Sequence, residues 1–331
     1  MREHDFEVRQ EIKEMVQCVQ FYYKHHLNQK DIAKKLGISA SKVSRLLKKA
    51  YAEGIVKVEV NIPKLPNLEF GLIERFGLRD AVVLASSEDS YIKEELGMAA
   101  ARYFEKICGD RVKIGISCGF TLYYMVRQLR EKIFNHLRLY PLAAESSMKL
   151  VDLSPNTLVG MMAAKYRPNV TAYALHAYLI GPLKEIDRER ELIMGNPDIK
   201  RIFDEAADVD IALVGIGCIG EETPGFCSLA EYYGITPAQL KAMNIVGEIN
   251  YQPFDEAGNI IDHEELRNLS RRVIAVPALR LKEMAKQFGK HVIAVAGGQQ
   301  KIEAIEGAIK GKLFDILITD ENVAKALLSD G

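Results

Sequence analysis

From residue 80 onward the chain alternates short apolar runs with amphipathic helical stretches, and that alternation leaves few folds open. The runs are DAVVLA (80–85), RVKIGIS (111–117), HLRLYPLA (136–143), VTAYALH (170–176), VDIALVGIG (209–217), RVIAV (272–276), HVIAVAGG (291–298) and DILITD (315–320). Helical patterns fill 90–107, 120–133, 156–166, 236–243, 277–288, 299–310 and 321–329. Strands this apolar along their length are buried on both faces, and helices between them supply the crossovers that parallel pairing needs. The expectation is a large α/β domain with a mostly parallel sheet covered by helices on both faces. The stretch 218–265, richer in Gly, Pro and acids, predicts loops and a short sub-element over the sheet edge.

A second module precedes this body. Asn28 is placed to cap a helix whose Asp31 favours the positive end of its dipole, and Ile32, Ala33 and Leu36 fall on one face of it. Gly37 closes that helix. Ser39 is the next N-cap candidate, and Val43, Leu46, Leu47 and Ala50 recur at three- and four-residue spacing in a second helix. Two short helices joined by a Gly turn, with the small Ala33 where they cross, form a helix-turn-helix. The opposite face of the second helix carries Ser41, Ser44, Arg45 and Lys48. Residues 6–26 read as a preceding helix with Ile12, Met15, Val19 and Tyr22 or Tyr23 inward, and GIVKVEVNI (54–62) alternates like a flanking strand or wing. The two prolines of PKLPN (63–67) mark the boundary, giving a helix-turn-helix domain at 1–62 and a larger domain at 63–331.

Charge supports the division. Residues 24–57 hold nine Lys and Arg against two acids, Asp31 and Glu53, whereas the rest of the chain holds 35 bases against 43 acids. A basic patch on an otherwise acidic protein is the footprint of nucleic-acid binding. The DNA-contact candidates are Gln29, Ser39, Ser41, Lys42, Ser44, Arg45, Lys48 and Lys49, with Ser41, Ser44 and Arg45 toward base edges and Gln29, Lys42, Lys48 and Lys49 toward phosphates. The expected partner is double-stranded DNA.

The five cysteines (18, 108, 118, 218 and 227) are scattered and form no metal-ligand spacing, so they read as reduced and cytosolic, with no metal or cofactor implied. The N-terminal stretch is charged, and no 18-residue apolar run occurs, so a cytoplasmic protein is expected, neither secreted nor membrane-spanning.

In open α/β sheets ligands collect at the carboxyl ends of strands. GISCGFT (115–121) is a strand running through a small-residue turn into a helix. The backbone N–H groups of Cys118, Gly119, Phe120 and Thr121, with the hydroxyls of Ser117 and Thr121, could cradle a phosphate there. AVAGGQQKIEAI (294–305) offers a Gly pair, Gly297 and Gly298, with Lys301 one turn on. VGEINYQPFDEAG (246–258) offers Glu248 for sugar hydroxyls, a residue that reads equally as a surface acid at a strand start. Asp320 ends the last strand, where it serves better as a helix N-cap than as a ligand group.

QKDIAKKLGISASKVSRLLKKA, IGISCGFTL, ALVGIG, VGEINYQPFDEAG and the segment from VAGGQQKIEAI to ENVAKALL, in that order, resemble the SorC family of bacterial transcriptional regulators. The resemblance implies a helix-turn-helix joined to a sugar-binding domain similar in fold to ribose-5-phosphate isomerase and glucosamine-6-phosphate deaminase, typically assembled as a homotetramer and answering to a phosphorylated sugar; the departures of this chain leave a free sugar open as well. By matched motif it assigns a phosphate loop to Ser117, Gly119 and Thr121, a second phosphate site to Gly297, Gly298 and Lys301, and a hydroxyl-binding acid to Glu248. This chain departs from the family in carrying Cys118 and Phe120 where Trp and Arg are common, Glu248 where Asp is usual, and LAAESS (142–147) in place of a Gly pair. The expected function is a sugar-controlled regulator, more a repressor than an activator. The alternatives are a sugar-phosphate isomerase or deaminase with a DNA-binding appendage, and a constitutive DNA-binding protein whose body only oligomerises.

Overall fold

A computed structural model describes residues 2–56, 63–85, 90–144, 151–177, 185–220 and 225–329. The chain forms two compact units, Met1–Asn61 and Ile62–Gly331.

In the first unit the helix Arg2–Val19 runs into a π turn, Gln20–Lys24. The extra residue of that turn rotates the register, so Phe21 packs inward while Tyr22 and Tyr23 are exposed. Met15 and Cys18 are fully buried, whereas Ile12 is 43% exposed. The helix Gln29–Leu36 is capped by Asn28, whose side chain accepts from Asp31 N, and ends on Gly37 at φ +67°. The helix Ala40–Ala52 is capped by Ser39, which accepts from Lys42 N. Ile32, Ala33, Val43, Leu46 and Ala50 close the core on Met15 and Cys18. The strand or wing expected over 54–62 lies, from residue 57 on, outside the described residues.

Among its described residues the second unit carries ten strands: β1 (Asp80–Leu84), β2 (Lys113–Ile116), β3 (Leu137–Pro141), β4 (Val170–Ala172), β5 (Ile211–Val214), β6 (Gly217–Cys218), β7 (Gly247–Ile249), β8 (Gln252–Phe254), β9 (His291–Val295) and β10 (Ile316–Asp320). Seven form a parallel sheet in the order β1-β10-β9-β5-β2-β3-β4, and β6-β7-β8 form a small antiparallel sheet. Alternate residues feed two cores. Ala81, Val83, Ala212, Val214, Val292, Ala294 and Leu317 face one layer, with Leu281, Ile305 and Val323 of the helices. Val82, Leu84, Ile114, Ile116, Leu213, Ile293 and Ile318 face the other, with Leu96, Phe104, Met125 and Met162.

RVIAV (272–276) forms no strand of its own. It runs past the end of β3, where Ala144 N donates to Ile274 O and Val276 N to Leu142 O, and then Pro277 turns it into the helix Ala278–Ala285. No described helix is long and apolar enough to cross a membrane.

The direction of winding reverses between β2 and β5. From β2 the chain proceeds outward through β3 to β4, then returns to β5 and proceeds the other way through β9 and β10 toward β1. Such a switch point leaves a crevice beyond the strand ends.

Candidate effector cleft and DNA-recognition face

The crevice is a cleft of about 460 Å³, solvent included, lined by Lys93, Ser117 to Leu122, Gly215 to Gly217, Glu248, Asn250, Val295 and Lys301. It therefore unites the first strand-end motif, Glu248 and Lys301, which lie far apart in sequence.

Each polar group in it has a definite hydrogen-bond state. β2 passes through Ser117 and Cys118 to Gly119, whose φ of +129° and ψ of 160° belong to glycine, and the helix Phe120–Gln128 begins without a side-chain cap. The first N–H groups of this helix, at Phe120 to Leu122, have no helical carbonyl to meet. The Ser117 hydroxyl donates to Asn250 Oδ1 at 2.8 Å, and Asn250 Nδ2 donates to Leu142 O and Val276 O. Ser117 thus ties β2 to the small sheet and keeps only acceptor capacity. Thr121 is 8% exposed, and its hydroxyl has no hydrogen-bond partner among the described residues. Burial, followed by the nearby Glu248 carboxylate, pushes the Cys118 thiol up to about 12, which makes it a poor nucleophile.

Glu248 stands on β7 and is 6% exposed, a buried group and not a surface acid. Its Oε2 accepts from Tyr251 N at 2.9 Å. Its Oε1 lies against two glycines: a Cβ on Gly217 would sit 2.5 Å from it, and one on Gly225 2.1 Å. The β7–β8 turn puts Asn250 and Tyr251 at φ 47° and 66°, and this places the Asn250 amide at the cleft. Lys301, in the single turn Gln299–Lys301, is buried and donates to Ile216 O at 2.7 Å.

Three expected ligand residues are engaged elsewhere. Asp320 Oδ2 accepts from Gly298 N at 2.7 Å, and its Oδ1 accepts from Asn322 N and Val323 N. A Cβ on Gly297 would lie 2.4 Å from Asp320 Oδ2. Asp320 thus caps the helix Glu321–Ser329 and clamps the end of β9, and Gly297, Gly298 and Asp320 do not line the cleft. Asn250 and Lys93 do line it and were not anticipated. Lys93 follows the end of β1 in a helix start, the position at which the other candidates were sought.

In the first unit, Ser41, Arg45 and Lys48 are exposed on the helix Ala40–Ala52, with Ser44 half-buried and Gln29 opening the preceding helix. Ser39 is spent on its cap, with its Oγ 3.0 Å from that of Ser41. Lys42 and Lys49, expected on phosphates, are turned to the first helix instead. Lys42 pairs with Glu14 at 2.7 Å, and Lys49 with Glu11 at 2.6 Å and Glu53 at 3.7 Å. The hydrogen bond from Lys49 holds the Glu11 carboxyl below its ordinary value. Among the described residues no group of three or more His, Cys, Asp or Glu side chains is arranged to hold a metal ion.

Residues 61–329 match the family described as "Putative sugar-binding domain", and residues 14–53 match sigma-70 region 4. The chain is 28% identical over 322 residues to the deoxyribonucleoside regulator of Bacillus subtilis, covering 95% of this chain and 97% of that one. It is 28% identical over 330 residues to the sorbitol operon regulator of Klebsiella pneumoniae, covering 96% and 98%. It is likewise 28% identical over 327 residues to the transcriptional regulator LsrR of Escherichia coli, covering 96% and 95%. The crystal structure of the full-length sorbitol operon regulator SorC from Klebsiella pneumoniae superposes with a TM-score of 0.67 at 29% identity, covering 96% of this chain and 99% of that one.

Proposed function

The chain belongs to the SorC family of bacterial transcriptional regulators, and from that premise we propose how its two units divide the work. It is a DNA-binding regulator with a sugar effector and not an enzyme, as its relatives are regulators throughout their matched length. The effector is a sugar, polyol or sugar phosphate, in line with relatives named for a deoxyribonucleoside and for sorbitol. The observation that carries the site assignment is the convergence of the 117–122 loop, Glu248 and Lys301 on one cleft at the switch point of the sheet.

The first N–H groups of the helix Phe120–Gln128 and the Thr121 hydroxyl donate to the effector's anionic or most electronegative end. Glu248 accepts from sugar hydroxyls, and Lys301 donates alongside. Because the Glu248 carboxylate rests against Gly217 and Gly225, a ligand that pulls on it acts on β6 and on the start of the helix Phe226–Tyr232. Binding then shifts the population between DNA-competent and DNA-released arrangements of a cytoplasmic dimer or tetramer that represses a carbohydrate-utilisation operon.

On DNA, the helix Ala40–Ala52 enters the major groove with Ser41, Ser44 and Arg45 at base edges, while Lys48 and Gln29 meet phosphates. Lys42 and Lys49 brace this helix through Glu14 and Glu11.

The test is a thermal-shift screen of the purified protein against free and phosphorylated pentoses, hexoses and polyols. The expected result is a stabilising ligand whose effect disappears in Glu248→Gln and Thr121→Val and which releases the protein from DNA. A ligand that stabilises both variants as it does the wild type overturns the site assignment.

A further inference from the structure

We propose that the protein holds a second ligand site, apart from the effector cleft, in which Arg190 and Arg271 grip an organic oxyanion, a phosphate or carboxylate carried on an apolar body. The site is a cavity of about 910 Å³, solvent included, and it shares no lining residue with the cleft.

The cavity lies where the helices Ile186–Met194 and Glu264–Ser270 meet the segment 271–277 that runs past β3. Its lining carries three guanidinium groups, Arg190, Arg267 and Arg271, against one carboxylate, Asp262. Arg267 is matched within the wall, since it donates to both the carboxylate and the carbonyl of Asp262. Arg271 reaches Asp187, which does not line the cavity, at 3.0 Å. Arg190 has no carboxylate partner among the described residues; its Nη1 donates to Arg271 O and Val273 O, each at 3.2 Å. Those two bonds fix the planar group and leave Nε and Nη2 to donate.

Arg190 and Arg271 therefore stand in each other's field. Burial, followed by the Arg271 guanidinium, holds Arg190 below its ordinary value, with Asp187 pulling the other way. An oxyanion between the two forks relieves that repulsion and takes the paired N–H···O geometry that a guanidinium offers to phosphate and carboxylate alike. The rest of the wall says what the anion is attached to. Ile260, Ile261, Val273, Ala275 and Pro277 line it, an apolar surface that a bare inorganic ion would leave uncovered. The wall is also firm. Gln252 donates to Asn250 O and Val276 O and accepts from Ala278 N, so its amide is committed to the fold on both sides.

The experiment is calorimetric titration of the full chain at constant ionic strength with phenyl phosphate, phenylacetate, inorganic phosphate and the neutral benzyl alcohol. It compares wild type, Arg271→Gln, Arg190→Lys and Thr121→Val. Wild type is expected to bind phenyl phosphate or phenylacetate, the tighter of the two identifying the headgroup, and to bind inorganic phosphate at least about tenfold more weakly and benzyl alcohol not detectably. Arg271→Gln and Arg190→Lys should each weaken binding at least about tenfold. The Arg271 side chain is 41% exposed, so Arg271→Gln should keep the unliganded melting temperature of wild type and decides the matter even if Arg190→Lys fails to fold. Thr121→Val, altered only in the effector cleft, should bind these anions as wild type does. Binding that Arg271→Gln retains within twofold overturns the proposal, and so does a wild type that takes up none of the three anions. Binding lost in Thr121→Val but kept in Arg271→Gln overturns it by returning the anion to the cleft. Inorganic phosphate bound as tightly as phenyl phosphate overturns the assignment of an organic ligand.

Discussion

Lys48 and Lys49 are neighbours in sequence but should behave oppositely on DNA. Lys48 is exposed, whereas the ammonium of Lys49 is 2.6 Å from Glu11 and 3.7 Å from Glu53. Each phosphate neutralised adds about 0.9 to the slope of log K against log salt. That counter-ion contribution vanishes near 1 M, so at about 0.15 M it amounts to about 0.7 of a log unit, a roughly fivefold change in affinity for each bound module. Lys48→Ala should therefore flatten the slope by about 0.9 and weaken binding roughly fivefold on any duplex. Lys49→Ala should leave the slope where it was, since its charge is already matched. Glu11→Gln should steepen the slope, because it releases a cation toward the DNA. Fluorescence anisotropy on a labelled duplex of arbitrary sequence, from about 50 to 300 mM KCl, reads all three without knowledge of the operator. The reasoning fails if Lys49→Ala flattens the slope as much as Lys48→Ala does.

The other expectations are narrower. Gly225→Ala would put a Cβ 2.1 Å from Glu248 Oε1 and must turn that carboxylate, so effector-induced stabilisation should require at least about tenfold more ligand; unchanged binding would show that the carboxylate does not contact the effector. The Lys290 ammonium, 2.6 Å from Asp208, with Lys113 and Arg280 behind it, holds the Asp208 carboxyl below its ordinary value. A depressed carboxyl stabilises the fold above its unfolded value of about 3.9 and loses that contribution as pH falls through the folded one. Asp208→Asn should therefore lower the melting temperature near neutral pH, and the gap from wild type should close as the pH is taken down toward about 3; a constant gap would refute the pairing. Burial pushes Cys108 and Cys118 up to about 12, so iodoacetamide at mildly alkaline pH should leave both unmodified in the folded protein and label the half-buried Cys227 first. Rapid labelling of Cys118 would contradict its burial.

The helix-turn-helix was legible nearly to the residue because its signals are short-range. Asn28, Gly37 and Ser39 act on groups within four positions of themselves, and the structure uses all three so. The parallel sheet was legible as a class, since alternation dictates crossovers, but not as an order. β1 lies beside β10, and β5 between β9 and β2, through pairings as distant in sequence as Asp80 with Ile316, which leave no local trace. Local signals also misled. The prolines of 63–67 read as a domain boundary, which hides that Pro66 is the first residue of the helix Pro66–Phe76, where a missing N–H costs nothing. RVIAV has strand composition, but it makes only two backbone hydrogen bonds to the chain leaving β3, with Leu142 and Ala144, before Pro277. The β7–β8 hairpin escaped notice because its strands have three residues each and its turn places two non-glycine residues at positive φ.

The cleft shows where reading by motif stops. Ser117, Thr121, Gly298 and Asp320 are all candidates in the sequence, each a small or polar group after a strand, with Asp320 already the weaker for serving better as a cap. Hydrogen-bond accounting separates them. Ser117 has given its proton to Asn250, Gly298 its N–H to Asp320, and Asp320 both oxygens to backbone, while the Thr121 hydroxyl keeps its full capacity among the described residues. A group already satisfied inside the protein gains little from a ligand and loses a bond to reach it. Under the proposed effector-site reading, discrimination among effectors belongs to Thr121 and to the open N–H groups beside it, and not to the residues that motif alone ranks with them.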